Sequence, residues 1–247
     1  MRFEFDWVDA FSDVVFGGNG CAVVHGGADV EEAVCMAYVR ETSLVECTFT
    51  GPSDVADIRV RYFLASREIP FAGHPTVATL VAMRARGLAQ DGGLTLETQA
   101  GVVQAEVQSA KVPMTQLAPE FGPKVPADIV AAVGGISAND SIAPPQVVST
   151  GLPFCVTLLR DRATLDSLKL DTVALKAMGD HLQQPDINMM EPFWVTQPGA
   201  TSSGDVFSRL LLAPPSPAED AFTVSATGAM AAYLWSRGLI DRPEFVA

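Results

Sequence analysis

The chain has 247 residues, 48% hydrophobic and 18% charged. That is enough apolar material for one large or two small packed domains, and too much for a disordered chain. Its 29 acidic and 16 basic residues give a net charge of −13 and a pI near 4.5, a field that repels phosphate backbones and speaks against nucleic-acid binding. No apolar run reaches the ~18 residues of a membrane span. The start MRFEFDWVDAF also lacks the basic head and greasy stretch of a signal peptide, so a cytoplasmic protein with no membrane partner is expected.

In chain order, Phe3, Phe5, Trp7 and Phe11 alternate with polar residues, the period of a half-buried strand. Phe16-Gly17-Gly18-Asn19-Gly20 reads as a turn leading into a strand from Cys21 to His25. Asp29 and Glu32 stand at capping-box spacing and predict a helix running to about Arg40. Strands follow at 46–50 and 58–64. At Gly73-His74-Pro75-Thr76 the pattern changes, because proline suits the first turn of a helix. The next seven residues, Val77 to Met83, are apolar all round, which predicts a helix enclosed by protein and ending at Arg84 to Gly87. Strands return at 94–97 and 102–107.

Four prolines between Pro113 and Pro126 read as a linker. Beyond it come strands at 147–149 and 154–159, an amphipathic helix at 165–182, strands at 193–196 and 206–212, and an apolar helix from Ser225 to Arg237. The four cysteines, Cys21, Cys35, Cys47 and Cys155, form no CxxC pair and no zinc-ligand spacing with the histidines. They read as small buried hydrophobes, and neither a metal nor a disulfide framework is expected.

Sliding the sequence on itself by 151 residues aligns Glu68 to Leu88 with Glu219 to Leu239, and seven of the 21 positions are identical, among them Thr76/Thr227 and the Arg-Gly-Leu that closes each segment. The chain therefore reads as α+β with two pseudo-repeated lobes, each a curved sheet or barrel around a central apolar helix. The lobes are expected at 1–112 with central helix 75–87 and at 113–247 with central helix 225–237. The second ends about ten residues after its helix, so it is expected to be short of strands that the first has. Glu68 and Glu219 recur in both lobes, which suggests a structural task. The helix starts, with Gly73 and His74 in one lobe and Ser225 in the other, offer unpaired N–H groups and partial positive charge. They are expected to meet at the cleft between lobes and seat a small anion.

Four separated motifs carry a resemblance. Gly18-Asn19-Gly20-Cys21-Ala22-Val23-Val24 resembles a GNPAAVV strand. Ser43-Leu44-Val45-Glu46-Cys47-Thr48-Phe49 resembles NLSETAF. Arg61-Tyr62-Phe63 with Glu68 and Gly73-His74-Pro75-Thr76 resembles RYFTP…E…GHAT. Glu219 to Ala226 resembles EDPVTGSA, with Val224 where that motif has glycine. The chain so resembles the phenazine-biosynthesis PhzF-type isomerases, which share the diaminopimelate-epimerase fold. The resemblance implies a cofactor-independent isomerase, likewise without a metal, that acts on a small anionic substrate, and a homodimer. It implies that Glu46 removes a proton from carbon and returns it elsewhere with a double-bond shift, while Asn19, Gly73, His74, Asp220 and Ser225 bind the substrate. Glu46 also sits among apolar neighbours that disfavour its charged form. Two other functions suit the same fold. One is a non-catalytic small-anion binder. The other is a two-cysteine racemase or epimerase, which would need a thiol at each helix start.

Overall fold

A computed structural model describes residues 2–90, 92–107, 112, 116–183, 191–242 and 244–247. The chain forms two compact units, Met1–Thr115 with Pro214–Pro217, and Gln116–Ala213 with Ala218–Ala247. The first unit holds strands β1 (Glu4–Ala10), β2 (Asn19–His25), β3 (Glu46–Gly51), β4 (Ile58–Leu64), β5 (Glu68–Ile69), β6 (Gly92–Thr98) and β7 (Gly101–Val107), and helices α1 (Glu32–Thr42) and α2 (Gly73–Ala85). Its sheet runs β1-β2-β3-β4-β6-β7, with β5 added to β4. β2 lies parallel to β3, and β3 lies antiparallel to β4.

The even alternation of these strands sorts their side chains onto two faces. One face packs on α1 through Ala22, Val24, Cys47, Phe49 and Phe63. The other packs on α2, where Cys21 and Val23 meet Ala78 and Ala82, and Val60, Tyr62 and Leu96 meet Leu80 and Met83. Ten of the 13 α2 residues are buried, which is why its sequence has no polar stripe.

The second unit holds β8 (Glu120–Lys124), α3 (Ala127–Gly134), β9 (Gln146–Ser149), β10 (Pro153–Leu158), α4 (Arg162–Ser167), α5 (Thr172–His181), β11 (Pro192–Thr196), β12 (Phe207–Leu211), β13 (Glu219–Asp220) and α6 (Val224–Ser236). Its sheet order is β13-β12-β11-β10-β9-β8. α6 packs its Ala226, Ala229, Met230, Tyr233 and Leu234 against β9 and β10. The other α6 residues are less enclosed.

The repeat is visible in chemistry as well as topology. In the first unit Arg61 grips Glu68 with two hydrogen bonds of 2.9 and 2.7 Å and sends its remaining nitrogen to the carbonyls of Ala28 and Val30. In the second, Arg209 grips Glu219 at 2.8 and 2.7 Å and bonds the carbonyl of Leu165. The repeated glutamates thus anchor their arginines, and each arginine ties down the loop before a helix or the helix itself.

Several local expectations are corrected. The aromatic side of β1 faces outward: Phe5 is 52% and Trp7 50% exposed, while Val8 packs on the α2 face. β1 is an edge strand, and α1 meets its aromatic face through Tyr38 against Phe5 while both aromatics stay half exposed, so the aromatic alternation does not mark the buried side. No capping box forms at Asp29. α1 starts at Glu32 without a side-chain cap, and Asp29 instead lies 3.6 Å from Arg59. The helix expected at 165–182 is two helices, because Asp171 bonds the N–H groups of Val173 and Ala174 and starts α5 afresh. Of the expected linker at 113–126, residues 113–115 lie outside the described residues, and 120–124 is strand β8. The central helices begin at Gly73 and Val224, slightly earlier than expected.

Candidate active site

Three element starts converge at one end of the first sheet. Asn19 opens β2, opposite Ala10 at the end of β1. Glu46 opens β3, and the parallel register of Ala22 with Cys47 sets it at the same end as Asn19. Gly73 and His74 open α2, whose N-cap is Ala72 and which carries no side-chain cap. Gly18 makes the β1–β2 turn possible, since a Cβ there would lie 2.2 Å from the carbonyl oxygen of Ala10.

Glu46 and His74, 28 residues apart in sequence, meet there: Glu46 Oε2 lies 3.2 Å from His74 Nδ1. The Glu46 side chain is 16% exposed and that of His74 4%, so the carboxylate is shielded yet open to a small molecule. In the tautomer with its proton on Nδ1, His74 donates to the carboxylate and fixes its orientation. The Phe11 ring lies 6.1 Å from the imidazole, centre to centre, on a backbone held at φ +68°. Burial pushes the neighbouring Cys21 thiol well above its ordinary pKa, with Cys47 and Glu46 adding to the shift. Burial also raises Tyr62, which stays a protonated donor.

Asp220 and Ser225 belong to the second unit. Asp220, at the end of β13, is buried and accepts a 2.5 Å hydrogen bond from Thr223 Oγ1. Ser225 is the second residue of α6. The carbonyl of Val224 accepts from Gln116 Nε2 at 2.8 Å, and Gln116 Oε1 accepts from Thr150 at 2.5 Å. Val224 has no positive φ, so valine at this position strains no backbone. Among the predicted site residues, Asn19, Glu46, Gly73 and His74 are therefore gathered at one end of the first unit, and Asp220 and Ser225 at the α6 start of the second.

Sequence reasoning missed Gln116 and Thr150, which hold the α6 start. It also missed the hydroxyls of Thr48 on β3 and Tyr62 on β4, which meet Thr79 and Thr76 of α2. The signal on the helix side was the pair Thr76 and Thr79, three residues apart in an otherwise apolar stretch. The cysteines lie in β2, α1, β3 and β10, all free and buried, and none stands at the start of α2 or α6. A two-thiol racemase site is thus absent from these helix starts. Among the described residues no helix is long and apolar enough to cross a membrane.

Fold and site together define an α+β protein of two related units with a carboxylate–imidazole pair at the start of a central helix. Residues 8–246 match the model of the PhzC–PhzF family of phenazine biosynthesis-like proteins, and the chain belongs to that family. It is an isomerase by class. It is 30% identical to isomerase YddE of Salmonella typhimurium over 252 aligned residues, covering 97% of this chain and 82% of YddE. It is 28% identical to trans-2,3-dihydro-3-hydroxyanthranilate isomerase of Pseudomonas fluorescens over 243 residues, covering 95% of this chain and 80% of that enzyme. A crystal structure of the PhzF-family phenazine biosynthesis protein of Bacillus anthracis superposes with a TM-score of 0.82 at 26% identity, covering 95% of this chain and 80% of that one.

Proposed function

We propose that this protein isomerises a small unsaturated carboxylate, with Glu46 as the single acid–base group. The observation that carries this reading is the shielded Glu46 carboxylate held 3.2 Å from His74 Nδ1 at the uncapped start of α2. Glu46 takes a proton from a C–H carbon. The electron pair spreads through the adjoining double bond, and neutral Glu46 returns the proton to another carbon of the same conjugated system. No electrons are gained or lost overall, so the step itself calls for no redox partner. A positioned general base of this kind contributes about 10²- to 10⁴-fold.

The N–H groups at the start of α2, including Gly73, suit a substrate carboxylate, and Asn19 supplies an amide at the same end of the sheet. Asp220 and Ser225, at the α6 start of the second unit, are likewise proposed as substrate-binding residues. The relatives named as isomerases support the reaction class, and the enzyme of Pseudomonas fluorescens supplies the first substrate to try.

The test is deuterium incorporation. The protein is incubated in D₂O with trans-2,3-dihydro-3-hydroxyanthranilate and a panel of small unsaturated carboxylates, and C–H exchange is followed by NMR. Exchange on at least one member is expected, and Glu46→Gln should abolish it while leaving the circular dichroism spectrum unchanged. Exchange that persists in Glu46→Gln refutes the assignment. Asp220→Asn and Ser225→Ala should raise KM more than they lower kcat.

A further inference from the structure

Helix α2 carries two fully enclosed hydroxyls, Thr76 and Thr79, in an otherwise apolar body. A buried hydroxyl left without a partner is destabilising, and each of these has two partners. Thr76 Oγ1 donates to the carbonyl of Ala72 at 2.6 Å, and Thr79 Oγ1 donates to the carbonyl of Pro75 at 2.8 Å. A threonine hydroxyl has one proton to give, so each must accept in its second contact. Tyr62 Oη therefore donates to Thr76, and Thr48 Oγ1 donates to Thr79, both at 2.8 Å. Thr48 and Tyr62 are direct neighbours across β3 and β4. Glu46 lies two residues before Thr48, on the same face of β3. The two relays end on the carbonyls of residues 72 and 75, which bracket Gly73 and His74.

The duplicated unit is an internal control. Thr227 corresponds to Thr76 and bonds the carbonyl of Thr223 at 2.9 Å in the same way. At the 151-residue offset, however, Thr79 corresponds to Met230. Tyr62 corresponds to Leu210, since Tyr62 pairs with Ile69 as Leu210 pairs with Asp220. Met230 and Leu210 are both buried in an apolar cluster. The second unit thus seats its helix on its sheet without these links from the neighbouring strands, and its helix start is held instead by Gln116 and Thr150 at the carbonyls of Val224 and Ser225. The unit that has them is the one that carries Glu46 and His74.

We propose that Thr48, Thr79 and Tyr62 are positioning residues, hydroxyl relays from β3 and β4 that hold the first turn of α2 and so fix the His74 imidazole against the Glu46 carboxylate. The proposal rests on the reading of Glu46 and His74 as the working pair.

It is tested by ¹⁵N NMR of protein labelled at its three histidines, near neutral pH and without substrate. Glu46→Gln is expected to displace the His74 Nδ1 resonance. Thr79→Val and Tyr62→Phe should displace it in the same direction, and Thr79→Ser should restore it. Thr227→Val in the second unit should lower Tm but leave the resonance in place. The proposal is overturned if the resonance stays at its wild-type position in both Thr79→Val and Tyr62→Phe, or if Thr227→Val moves it equally. Should Thr79→Val fail to fold, Tyr62→Phe, which deletes a single oxygen, decides the matter. Deuterium exchange separates the two claims. Loss of exchange in Glu46→Gln with unmoved signals in the relay variants overturns the positioning role alone. Moved signals with exchange intact in Glu46→Gln overturn the chemistry alone.

Discussion

Arg61→Ala and Arg209→Ala make the same cut in two copies of one motif, and burial predicts that their costs differ. The Arg61 and Glu68 side chains are 12% and 7% exposed. Removing the guanidinium strands a carboxylate almost out of reach of water and leaves the carbonyls of Ala28 and Val30 without that donor. Breaking a buried ion pair on one side costs about 3–5 kcal/mol. The Arg209 and Glu219 side chains are 19% and 38% exposed. There the orphaned carboxylate rehydrates, and the loss is about 1–2 kcal/mol. A gap of about 2 kcal/mol is roughly a 30-fold difference in unfolding equilibrium. Urea denaturation should be followed by far-UV circular dichroism together with tryptophan fluorescence, since Trp7 lies in the first unit and buried Trp194 in the second. Two probes are needed because two units need not unfold together. Adding Glu68→Gln to Arg61→Ala should recover part of the loss by removing the uncompensated charge. Equal losses, a larger loss from Arg209→Ala, or no recovery in the double variant would refute the reasoning.

Burial pushes the thiols of Cys47 up to about 11 and Cys155 up to about 12 from an ordinary 9.0. A raised pKa means that the folded state keeps a proton the unfolded state has lost. Stability is therefore full below the ordinary value and falls as pH rises above it, by about 1.4 kcal/mol per unit per thiol; alkaline unfolding that is flat across that window contradicts the assignment. Thiol reagents should label the native protein only slowly. Asp6 is held below the usual carboxylate range by its hydrogen bond from Arg86, so Arg86→Gln should bring its titration, followed by NMR, back up. Asp171→Ala removes the α5 cap and should cost about 1 kcal/mol, read as a lowered Tm. The homodimer expected from the family resemblance is checked by light scattering, where a single-chain mass refutes it.

Much of the framework was legible in the chain. The all-apolar run after Gly73-His74-Pro75-Thr76 demanded an enclosed helix, and α2 is one. The repeat in Glu68 and Glu219 pointed to a structural task, and each glutamate anchors an arginine. The motif around Glu46 and the one around His74 each marked a candidate, but neither carried the distance between them. Where reading failed, local pattern and global placement disagreed. The aromatic alternation of β1 has the right period for a strand, but period does not say how far a face is covered, and here Tyr38 of α1 meets Phe5 while leaving it and Trp7 half exposed. Asp29 and Glu32 have capping spacing, yet the chain turns into α1 only at Glu32.

Local periodicities, the punctuation by glycine and proline, and the existence of two related apolar helices can be read along the chain, because these depend on neighbours within a few residues. Which polar groups inside those helices find partners depends on the folded arrangement. The Thr48–Thr79 and Glu46–His74 contacts join residues 31 and 28 positions apart. A hydroxyl or carboxylate becomes a positioned group through partners brought to it in space, and whether water is excluded around it depends on packing that no local pattern encodes.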